Sequence, residues 1–181
     1  MLLRKINAGL SLLTTFFLLN HAVSQALRML SGGRIASSPA IFSWILVGLM
    51  AFHAFVSIEL VLSPYMEGEP CKCKKYLQMN VSTVVQRVSG IVMIPVTGLH
   101  IAGATGAMQP PEIVHAILPP LFFAVTLMHA AVSVSKALIT LGVGNARAVK
   151  VVDVIAKILC GATLIACVVG FYLYTFSGVG K

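Results

Sequence analysis

Apolar residues run almost unbroken over five stretches of the chain, about 7–30, 40–63, 83–106, 114–138 and 151–176, and polar or turn-forming residues gather between them. Each stretch exceeds the roughly 20 residues a helix needs to cross a hydrocarbon core of about 30 Å. The pattern therefore predicts five transmembrane helices, since lipid offers no water to satisfy an open backbone. "SGGRIASSP" at 31–39, "SPYMEGEPCKCKKY" at 63–76, "TGAMQPPE" at 105–112 and "TLGVGNARAVK" at 140–150 supply the turns through Gly, Pro and Asn. All four loops are short. The expected fold class is all-α, an integral membrane up-and-down bundle of five helices forming a single domain over 1–181.

Composition agrees: 58% of the 181 residues are hydrophobic and only 10% charged, far from the balance of a soluble globule. With the N-terminus inside, Arg4, Lys5, Lys72, Lys74, Lys75, Arg87, Lys136, Arg147, Lys150 and Lys157 fall at or near the cytoplasmic face, leaving Arg28, Arg34 and Lys181 outside. That asymmetry predicts a cytoplasmic N-terminus. The formal net charge of +8 is then mostly a topology signal and a rim for an acidic or soluble partner, not a nucleic-acid footprint. The first apolar run continues through His21 as a full-length span, so it is expected to be retained rather than cleaved as a signal peptide.

Within these spans sit the residues that change the picture. His21, His53, His100 and His129 fall one on each of the first four apolar runs, and an ionisable group inside a membrane is expensive enough to be a functional candidate. At a rise of about 1.5 Å per residue, His21 lies about 20 Å and His100 about 24 Å from the cytoplasmic helix ends, while His53 and His129 each lie about 10 Å deep. The four imidazoles thus form two pairs at levels roughly 10 to 14 Å apart. Two bis-histidine haems stacked across a four-helix bundle require that layout, with the iron saturated and suited to electron transfer. Zinc or copper competes less well, because closed sites gather three or four ligands at one level. For any single histidine, hydrogen-bonded packing is the plain alternative.

The chain also repeats itself. His-Ala-x-Val-Ser surrounds His53 and again His129, and Asn7 lies fourteen residues before His21 as Gln86 does before His100. Fourteen residues return a helix to nearly the same face, so each amide sits below its histidine, as a cap, an interfacial group, or a contact to haem or quinone. Small residues near the histidines, Gly98, Ala102, Gly103, Ala130 and Ala131, leave room for a macrocycle or simply let helices pack. Cys71 and Cys73 read as part of a solvated loop, and Cys160 and Cys167 as packing on one face of the fifth helix. His115 and Glu112, at the start of the fourth, read as interfacial groups or as proton exchangers near a quinone.

The five spans, the four histidines and "VVQRVSGIVMIPVTGLH" at 84–100 resemble the cytochrome b membrane anchor of succinate dehydrogenases and fumarate reductases, in its single-chain, five-helix, di-haem form that works with menaquinone. The resemblance implies His21 and His100 as axial ligands of a distal b haem and His53 and His129 of a proximal one. It also implies Arg87 and Ser89 near the proximal propionates. Glu112 is the candidate proton acceptor beside the quinone. The implied partners are a flavoprotein with FAD and an iron–sulfur subunit on the cytoplasmic side, docked on the basic loops at 64–76 and 142–150 of a chain in the inner membrane of a prokaryote. Dicarboxylate chemistry itself is not in this chain, which has neither a dinucleotide-binding glycine motif nor cluster-type cysteine spacing. Two other classes fit the same residues: the di-haem cytochrome b of another respiratory enzyme, such as a hydrogenase, formate dehydrogenase or b561-like reductase, and a haem-free transporter with a histidine proton relay.

Overall fold

The computed structural model describes residues 2–66, 81–109 and 111–176. Five helices account for nearly all of them: α1 (Leu2–Leu30), α2 (Ala40–Met66), α3 (Val81–Ala104), α4 (Glu112–Leu141) and α5 (Ala146–Phe176). Each contains a segment long and apolar enough to cross a membrane, the character of a multi-pass membrane protein. No strand occurs among the described residues.

Helix ends differ from the expected ones for local reasons. The helical segment of α1 begins at Leu2 rather than near residue 7, taking in the polar Arg4, Lys5 and Asn7. The last connection is shorter than the 140–150 turn anticipated. Gly142 closes α4 in the left-handed region at φ 98° and its N–H donates to the Ile139 carbonyl, a conformation that favours glycine. Three residues on, the Asn145 side chain accepts from the Ala148 N–H at 3.1 Å and caps α5. Arg147 and Lys150 therefore ride on the first turns of a helix rather than in a loop.

Packing is centred on α4. Helices α1, α3 and α5 all pack against it, α1 also packs against α2 and α5, and those five pairings are the only ones among the described helices in which Cα atoms come within 8 Å. The core lies where α1, α4 and α5 meet, with Ala22, Ala26, Thr126, Leu127, Cys167 and Phe171 buried there. In lipid the apolar effect does not drive helices together, so close approach of small residues matters more. Gly170 shows it: an added Cβ would meet Met29 Cβ at 3.2 Å and the Ala26 carbonyl at 3.4 Å. Cys160 and Cys167 are both buried, and the Cys167 thiol faces the Ala22 carbonyl at 3.5 Å. Outward-facing positions such as Phe16, Trp44, Phe55, Ile91 and Ile165 remain exposed, as lipid-facing side chains would be.

Prolines tune α4. Pro119 and Pro120 lie inside it, and Pro120 has no N–H for the carbonyl of Ala116. The Tyr172 hydroxyl of α5 reaches that carbonyl at 3.5 Å, an interhelical partner for an acceptor the helix leaves open.

Candidate functional site

Polar side chains join the helices in a repeated way. Ser57 on α2 donates to Asn7 Oδ1 on α1 at 3.1 Å, and Gln86 Nε2 on α3 donates to Ser133 on α4 at 3.0 Å. Both serines are the last residue of His-Ala-x-Val-Ser, and both amides sit fourteen residues before the next histidine. Both amides thus pin neighbouring helices together. Further bonds order the pairs. His21 meets Ser43 at 3.2 Å and Ser24 donates to Ser38 at 3.2 Å, so numbers rise along α1 as they fall along α2, and the two helices are antiparallel.

The four histidines are half-buried and divide into two groups. His21 and His100 line one cavity of about 350 Å³, together with Gln25, Arg28, Phe122 and Phe123. His53 and His129 line another, of about 30 Å³, with Ser11, Thr14, Met50 and Thr126. In each case the two histidines come from helices that have no Cα atoms within 8 Å of one another, α1 with α3 and α2 with α4. The two histidines of a pair therefore line a shared cavity between helices that do not pack on each other.

Each ring is held differently. His129 Nδ1 lies 3.0 Å from the Gln86 carbonyl and 3.0 Å from Ser89 Oγ. A carbonyl only accepts, so Nδ1 carries the proton, and the Ser89 hydroxyl spends its own on the Val85 carbonyl at 2.6 Å. The Nε2 lone pair of His129 is left available. Gly90 makes the approach possible, because a Cβ there would meet His129 Cε1 at 3.2 Å. His100 stacks face to face on Phe122, with centroids 4.0 Å apart and planes 3° from parallel. His53 Nδ1 is buried with no partner at hydrogen-bond geometry, and the Asn7 backbone lies beside the ring.

The segment Gln86-Arg87-x-Ser89-Gly90 therefore serves His129 directly. Ser89, 2% exposed, has its hydroxyl engaged by His129 and the backbone of its own helix. Arg87 is exposed on another face of α3. The ammonium of Lys136, one turn beyond Ser133 on α4, donates to Gln86 Oε1 at 2.9 Å and to Thr83 at 3.2 Å. A continuous hydrogen-bonded chain runs from Lys136 through Gln86 to Ser133, which donates to the His129 carbonyl at 2.7 Å. Sequence patterning points to Gln86, and the resemblance to Ser89, with Gly90 only as part of the same segment; neither points to Ser43, whose role depends on which ring lies opposite.

The remaining candidates lie elsewhere. His115 is exposed, its ring edge-on to Phe171 at 6.0 Å. Glu112 opens α4, but its side chain is outside the described part of the structure, as are Cys71, Cys73 and the lysines at 72, 74 and 75. Asp153 pairs with Lys157 at 2.5 Å along α5. Among the described residues no three His, Cys, Asp or Glu side chains gather as a metal-binding group, which leaves two-imidazole sites as the available donor sets.

The donor chemistry of each set suits a bis-imidazole prosthetic group, and of the two cavities the His21–His100 one has the room of a ligand site. The gaps lie between helices that do not pack on each other, and three buried polar atoms have no partner among the described residues: Thr14 Oγ1, His53 Nδ1 and Thr97 Oγ1. Two of the three belong to residues lining the His53–His129 cavity, and a buried polar atom without a partner costs about 1–3 kcal/mol. The His21–His100 cavity falls within the roughly 300–1,000 Å³ of ligand sites. The His53–His129 cavity is much smaller, and α2 and α4 have no Cα atoms within 8 Å of one another across it. Comparison with family models, curated proteins and solved structures gives no match for this chain.

Proposed function

We propose that this chain is a membrane cytochrome b: a quinone-reactive subunit that anchors a flavoprotein and an iron–sulfur subunit of a succinate:quinone or quinol:fumarate oxidoreductase. The observation that carries the reading is the sorting of four histidines, one on each of α1 to α4, into two pairs. His21 and His100 would hold the distal haem and His53 and His129 the proximal one, in a bundle with its N-terminus on the cytoplasmic side of a prokaryotic inner membrane. A bound b haem supplies one-electron chemistry at an iron saturated by two imidazoles. The chain's part is to present neutral Nε2 atoms, to exclude competing ligands with apolar walls, and to carry a basic rim for its partners. Arg28, on the wall of the His21–His100 cavity, is placed to meet an anionic group there. Glu112 stays the candidate acceptor for quinol protons.

The test is pair-selective loss. Replacing His129 or His53 with alanine is expected to remove one low-spin haem and spare the other, and replacing His21 or His100 to do the converse. Haem content unchanged by all four substitutions would sink the assignment. Co-purification separates this reading from other di-haem cytochromes b: a flavoprotein with an iron–sulfur protein supports it, and a metallo-hydrogenase or molybdenum enzyme replaces it.

A further inference from the structure

The two halves of the chain are built alike but pin their histidines differently. Ser89 lies eleven residues before His100, and the residue eleven before His21 is Leu10; Gly90 corresponds in the same way to Ser11. Across the repeat, the backbone carbonyl of Gln86 meets His129 Nδ1, and the backbone of Asn7 lies beside His53. The hydroxyl that completes the first arrangement is missing from the second, and His53 Nδ1 is left buried without a partner. The pair is therefore unequal by construction: one ring is fixed by two acceptors and a glycine-made seat, and the other has the Asn7 backbone beside it but no hydroxyl.

We propose that Ser89, with the Gln86 carbonyl and Gly90, is a positioning residue that presets His129 in the Nδ1–H tautomer with its Nε2 lone pair turned away from α3, making His129 the anchoring ligand and His53 the adaptable one. This rests on the haem reading above for its consequence, but the tautomer is a property of the chain itself. Both acceptors lie 3.0 Å from Nδ1, and the serine proton is committed to Val85. A partner on the distal ring nitrogen fixes ring orientation and raises the basicity of the ligating one, and its removal typically weakens metal binding about 10- to 100-fold. Stronger donation favours the ferric state. Loss of a tenfold ferric preference corresponds to about 59 mV in a one-electron couple.

Two measurements decide it. Imidazole 15N spectra of the detergent-solubilised chain, with His129 assigned by its disappearance in His129→Ala, are expected to show a protonated Nδ1 and a bare Nε2. A protonated Nε2 overturns the proposal whether or not haem binds. In the haem-loaded protein, Ser89→Ala is expected to raise the midpoint potential of the His53–His129 centre by about 59 mV for each tenfold lost and to leave the His21–His100 centre in place. Leu10→Ser, which gives His53 the missing hydroxyl, is expected to move the same centre the other way, and it keeps the test alive if Ser89→Ala does not fold. Two bound haems with potentials indifferent to both substitutions would overturn the positioning role and leave the haem reading standing. A chain that binds no haem but shows the bare Nε2 would do the reverse.

Discussion

Replacing Gly90 with alanine sets two effects against each other on α3. Alanine is favoured over glycine in a helix interior by about 1 kcal/mol. At this site, however, the new methyl would lie 3.2 Å from His129 Cε1 and 3.6 Å from Nδ1, and the ring cannot retreat without lengthening bonds to the Gln86 carbonyl and Ser89 that both stand at 3.0 Å. Overpacking costs about 1–3 kcal/mol, and each weakened hydrogen bond up to about 1 kcal/mol more, so the clash wins by about 1–2 kcal/mol. Gly98, two turns along the same helix, has nothing within 4 Å of its would-be Cβ, and Gly98→Ala is expected to be neutral or stabilising by up to about 1 kcal/mol. The gap of about 2 kcal/mol corresponds to roughly 4–8 °C in melting temperature for a chain of this size, measurable by thermal unfolding in detergent. In the Gly90→Ala, His129→Ala double variant the penalty of the methyl should vanish and only the helix-propensity gain remain, giving a coupling of about 2–3 kcal/mol. A Gly90→Ala protein as stable as Gly98→Ala, or additive with His129→Ala, would refute the close approach of α3 to that ring.

Other outcomes follow from the same contacts. Gln86→Leu removes bonds to both Ser133 and Lys136 whereas Asn7→Leu removes the bond to Ser57; at about 0.6 kcal/mol on average and up to roughly 1.7 for each interhelical bond in a membrane, Gln86→Leu should be the more destabilising in a denaturant or thermal series. Gly170→Ala should loosen the α1–α5 contact by about 1–3 kcal/mol, because its methyl would meet Met29 and the Ala26 carbonyl; an unchanged melting temperature would contradict that packing. In a chain with Cys71 and Cys73 changed to serine, Cys160 and Cys167 are buried and should resist maleimide labelling until the protein is unfolded in detergent, as mass spectrometry would show.

The helices were legible because lipid demands long apolar runs, and only their ends moved: Asn145 capped α5 earlier than the glycine-rich stretch suggested. The histidine pairs were legible because depth in a membrane follows from counting along a helix. What counting could not give is which atom meets which. The serine ending each His-Ala-x-Val-Ser was noted as a repeat, yet its bond to an amide on the preceding helix needs the antiparallel register of both helix pairs. Nothing in the pattern marks Gly90 as the glycine that lies against a ring, while Gly98 and Gly103, small residues near the histidines, have open space where a Cβ would lie.

The proposed function requires two pairs of imidazoles that each hold a haem. A reduced-minus-oxidised spectrum of the intact complex, with iron and haem counted per chain, tests it most directly. Two low-spin b haems per chain, of distinguishable potential, are expected; a chain isolated intact without any visible band would overturn the proposed function.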